Sequence, residues 1–130
     1  MTNRDIYDAA LSLLAEEQYE DCADYEARAP YLLGAFLNEC NEAGAFYRSA
    51  HGQETRGGDR DPEICPDLDS EFSLPARFAG AAAFYLAALL VEREDEAFSD
   101  RLFARYADDV TRILHDGCPG VSMSIRDVYA

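Results

Sequence analysis

The stretch Phe78–Asp95, FAGAAAFYLAALLVERED, constrains the fold more than any other part of the chain. No side chain from Phe78 to Val91 carries a charge, while Arg77 precedes the run and Glu92, Arg93, Glu94 and Asp95 close it. A membrane-spanning helix needs about 20 apolar residues, and this run is shorter and bounded by charge at both ends. It therefore reads as a buried helix. Because it is apolar nearly all round, it must have neighbours on most sides. Ala79, Gly80, Ala81, Ala82, Ala83, Ala87 and Ala88 would let those neighbours approach closely, and Phe78, Tyr85, Leu86, Leu89 and Leu90 would fill the space between.

The partners are amphipathic helices elsewhere in the chain. Thr2 and Asp5 form a T-x-x-D capping pattern; Ile6, Ala9, Ala10, Leu13 and Leu14 then recur at helical spacing, fading near Glu17. A second helix starts at Asp24 or Pro30 and buries Leu33, Phe36, Leu37, Cys40, Gly44 and Tyr47. Ser73 is the expected cap of the apolar helix, with Pro75 near its first position. The last helix begins near Asp95 or Glu96, with Phe98, Leu102, Phe103, Tyr106, Val110, Ile113 and Leu114 as its stripe, and is stopped by Gly117 and Pro119. The expected fold is all-α: a single domain over residues 1–130, a compact bundle of about four helices, with a core of Leu13, Leu33, Phe36, Leu37, Phe78, Ala83, Leu86, Leu90, Leu102, Tyr106 and Val110.

Two segments stand outside that bundle. Residues 49–72 form a long loop between the second and third helices, rich in Gly and Pro and longer than compact domains usually allow. Residues 121–130 form a short extended tail, in which Val121, Met123 and Ile125 alternate with Ser122, Ser124 and Arg126 as in a strand. One strand does not stabilise itself, so the tail needs a partner: the long loop or a neighbouring subunit.

Charge narrows the function. The chain has 26 acidic residues against 11 basic ones, every base being Arg, for a formal net charge of −15. Gripping nucleic acid needs clustered positive charge, so this balance argues against it. It suits a basic partner, a conduit wall that must not adhere to DNA, or solubility. The N-terminus, MTNRDIYDAA, has acids where a signal peptide is positive, and the expectation is a soluble protein. Cys22, Cys40, Cys65 and Cys118 form no C-x-x-C, and neither His51 nor His115 sits at ligand spacing from a cysteine pair, which predicts reduced structural thiols.

The motifs for catalysis are missing. Asp67, Asp69 and Glu71 alternate, with Asp59, Asp61 and Glu63 upstream, but the glycine and the later Glu of a calcium loop are lacking; a solvated acidic loop accounts for them. Glu39 with Glu42, and Glu92 with Asp95, resemble the magnesium-binding pairs of all-α nucleotide pyrophosphatases. Their separation of about fifty residues and the lack of a basic cluster for a triphosphate speak against that activity. His115 stands where a protonated imidazole complements a helix dipole, and His51 lies in a Gly-rich loop. No P-loop, G-x-S-x-G or H-E-x-x-H is present. The expectation is no enzyme, no metal and no cofactor.

The order of features resembles the small head–tail connector (adaptor) proteins of tailed phages. The resemblance rests on YEARAPYLLGAFLNEC, a variable loop, LDSEFSLPARFAGAAAFYLAALLVEREDEAFSDRLFARYADDV with its Leu74–Pro75 lead-in and Phe103–Tyr106 pattern, and the ending SIRDVYA. It implies a structural subunit that forms a homo-oligomeric ring between portal and tail-completion proteins. It also implies that DNA passes without being bound specifically, that no membrane is involved, and that the protein resides in the bacterial cytoplasm or the virion. The implied assembly contacts are Arg60, Asp61 and Ile64 in the loop and Ile125, Arg126, Asp127, Val128 and Tyr129 in the tail. A second class of function, an acidic helical protein that binds a basic partner as a DNA mimic or inhibitor, is weakened by carboxylates scattered over loops and outward helix faces.

Overall fold

The computed structural model describes residues 1–14, 22–52 and 64–116, all helical or irregular apart from a single antiparallel bridge between Thr2 and Glu71. Five α-helices are described: α1 (Asn3–Leu14), α2 (Cys22–Glu39), α3 (Asn41–Ala50), α4 (Ala79–Val91) and α5 (Glu96–Asp116). The all-α expectation holds among these residues. None of the described helices is long and apolar enough to cross a membrane.

The charge-free helix is the centre. α4 packs against α5, α1 and α2, and Ala82, Leu86, Ala87, Ala88 and Val91 are wholly buried. Its alanines do what a bundle axis requires, since a methyl side chain lets three helix backbones come near without leaving voids. Gly80 departs from that expectation. It is exposed, and a Cβ there would meet nothing nearer than a carboxylate oxygen of Asp109 at 4.0 Å. The start also differs: a short 3₁₀ turn over Ala76–Phe78 precedes α4, closed by the Phe78 amide donating to the Pro75 carbonyl at 2.9 Å. Ser73 caps nothing with its side chain; its carbonyl instead accepts from the Arg48 guanidinium at 2.6 Å.

The second helix, expected to run unbroken up to the loop at residue 49, is two helices. Cys40 separates α2 from α3 with φ −97 and ψ 5, yet its amide still donates to Phe36 and its carbonyl still accepts from Gly44. The break is thus a bend in a nearly continuous hydrogen-bond ladder. Pro30 lies inside α2, where it removes one donor and disfavours straight helix. At the bend Gly44 packs face to face with Leu74: a Cβ on Gly44 would lie 2.6 Å from Leu74 Cδ2.

α1 shows why the segment after Ile64 is ordered on the body. The first amides of a helix have no partner within it. Here Thr2 and Asp5 form the reciprocal capping pair read from the sequence, with Thr2 N–H donating to Asp5 Oδ2 at 2.9 Å and Asp5 N–H to Thr2 Oγ1 at 3.3 Å. The Asn3 and Arg4 amides donate to the carbonyls of Ser70 and Leu68 at 2.9 and 2.7 Å, and the Asn3 side chain donates to the Asp67 carbonyl at 2.8 Å. Leu68, Phe72 and Leu74 are buried. The stretch 67–74 is therefore an anchored part of the body, while α3 already occupies the first residues of the expected loop. Residues 53–63 lie outside the described residues.

Of the expected core, Leu33, Phe36, Leu37, Phe78, Ala83, Leu86, Leu90, Leu102 and Tyr106 are buried. Leu13 and Val110 are corrections, since each is only partly buried and packs against the core from its edge. Ala9 is exposed, and Asn3 and Tyr7 take buried places on α1 instead. Phe103 and Leu114, counted on the buried stripe of α5, are 43% and 38% exposed.

Candidate functional site: the groove between α3 and α5

Among the described residues, a groove of about 470 Å³ is lined by Glu39, Cys40, Glu42, Ala43, Phe46, Tyr106, Val110 and Leu114. Its floor comes from the α2–α3 bend and its far wall from three positions of α5 that are four residues apart and so share one face. The bend at Cys40 and the divergence of α3 from α5 leave the apolar sides of Phe46, Val110 and Leu114 facing a gap that no described element fills.

One end of the groove is well defined. The Tyr106 hydroxyl donates to Glu39 Oε1 at 2.9 Å. Behind it the rings of Phe36, Tyr85, Phe103 and Tyr106 form a cluster, with Tyr85 and Tyr106 centroids 5.0 Å apart and edge-on, an arrangement suited to the aromatic quadrupole. Burial pushes the Cys40 thiol up to about 11, assisted by the negative charge of Glu39. Burial likewise raises the Tyr106 and Tyr85 phenols. All three stay protonated at neutral pH, so the groove offers neither a thiolate nor a phenolate nucleophile. What it offers is a trough lined by apolar side chains and two carboxylates, Glu39 and Glu42.

The other acids are dispersed. Glu92 and Asp95 do not line this groove; Asp95 instead accepts from the Phe98 amide at 3.0 Å, capping α5. Asp69 pairs with Arg4 at 3.0 Å, Glu71 with the N-terminal ammonium at 3.5 Å, and Asp67 accepts from the Asp69 amide. Among the described residues no three His, Cys, Asp or Glu side chains are grouped to hold a metal ion. His51 stacks on Tyr47 with its Nδ1 2.9 Å from the Tyr47 carbonyl, at the end of α3, and His115 is exposed on α5.

Of the residues named as assembly contacts, Ile64 is described and is 73% exposed, beside an exposed Cys65. Arg60, Asp61, Ile125, Arg126, Asp127, Val128 and Tyr129 lie outside the described residues, as does the strand-like tail. The sequence reading missed the groove itself. Glu39 and Glu42 stood out only as a metal pair, and Phe46 was assigned no role. The available signal was that Phe46 falls off the stripe of Cys40, Gly44 and Tyr47.

No protein-family model, curated protein or solved structure matches the chain.

Proposed function

We propose that this chain is a non-catalytic structural subunit that assembles with copies of itself in a ring between a phage portal and tail, as the resemblance to head–tail connectors implies. The observation that carries the proposal is the presentation of Ile64. It is the most exposed large apolar residue described, standing at the edge of a segment anchored by Leu68, Phe72 and Leu74. An isoleucine held outward on a rigid base is an economical contact for a neighbouring subunit or portal. Tyr31 and Phe103 add exposed apolar surface on α2 and α5. The net charge of −15 suits a passage along which DNA slides without adhering.

The test is particle mass with and without a matching phage portal protein. The expected result is a ring-sized complex with the portal that is lost in Ile64→Glu, whose circular dichroism remains that of the wild type. A protein that leaves the portal untouched and instead captures a basic DNA-binding protein would replace this proposal with the DNA-mimic one. Turnover of a nucleotide with Mg²⁺ that vanishes in Glu39→Gln or Glu92→Gln would revive the pyrophosphatase.

A further inference from the structure

We draw no further inference here: the strongest candidate, the groove between α3 and α5 where Phe46, Val110 and Leu114 stand with Glu39 and Glu42, carries none because nothing in the structure shows what covers it.

Discussion

The Tyr106 hydroxyl on α5 donates a hydrogen bond to the carboxylate of Glu39, the last residue of α2, across 2.9 Å. It ties two helices that meet at the α2–α3 bend, and it places a charge beside a phenol whose ring is buried. Tyr106→Phe keeps the ring contacts with Phe36, Tyr85 and Phe103 and removes only the hydroxyl. A hydrogen bond to a charged acceptor that is partly exposed is worth about 1–2 kcal/mol. Urea unfolding should show the unfolding free energy falling by that amount, seen as a lower midpoint with an unchanged denaturant slope.

The same corner sets an alkaline limit. The Cys40 thiol ionises near 9 in an unfolded chain and is pushed up to about 11 in the fold, chiefly by burial; a hydrogen bond with Tyr106 opposes the rise and the charge of Glu39 adds to it. Above pH 9 the unfolded chain releases this proton while the folded one retains it, so the unfolded state binds fewer protons and stability falls with rising pH. The contribution is fully present below pH 9 and is lost as pH approaches 11. The raised Tyr85 and Tyr106 phenols act in the same direction. Thermal melts from pH 8 to 11 should fall more steeply for the wild type than for Cys40→Ala. Equal slopes would exclude Cys40 as a contributor.

Ala87 is wholly buried on the axis of the bundle and Ala83 nearly so, whereas Asp100 is exposed on α5. A carboxylate at either alanine would be enclosed among packed helices and lose its hydration. Ala87→Asp should cost roughly 3 kcal/mol or more and Ala83→Asp somewhat less. Asp100→Ala should change stability by less than about 0.5 kcal/mol. Circular dichroism melts in which all three variants behave alike would show that α4 is not the central helix.

Two helical glycines should respond in opposite ways. At Gly80 a Cβ meets only a carboxylate oxygen at 4.0 Å; Gly80→Ala should therefore stabilise by about 0.5–1 kcal/mol through helix propensity. At Gly44 the new methyl would lie 2.6 Å from Leu74 Cδ2, and Leu74 is itself buried. There the clash should outweigh the propensity gain, lowering stability by about 1 kcal/mol or more. Leu74→Val should partly rescue it, an interaction that a double-mutant cycle measures directly.

What the sequence determined by itself is the part written in periodicity and charge. A run without charge from Phe78 to Val91 inside so acidic a chain has to be covered, and amphipathic stripes of the right spacing in α1, α2 and α5 were there to cover it. The Thr2–Asp5 cap was legible because both partners lie within one turn. Tertiary structure decided what depends on residues far apart. The α2–α3 bend at Cys40 carries no breaker. It accompanies two long-range contacts, Gly44 against Leu74 and Tyr106 with Glu39. The stretch 67–74 reads as loop because its backbone makes no ladder of its own; it is fixed by the unpaired amides of Asn3 and Arg4, about sixty-five residues away in sequence. Local pattern specifies which face of a helix is apolar, but not how far two such faces diverge. The tertiary placement of α3 beside α5 turned Phe46, Val110 and Leu114 from expected core or unassigned residues into the lining of a groove.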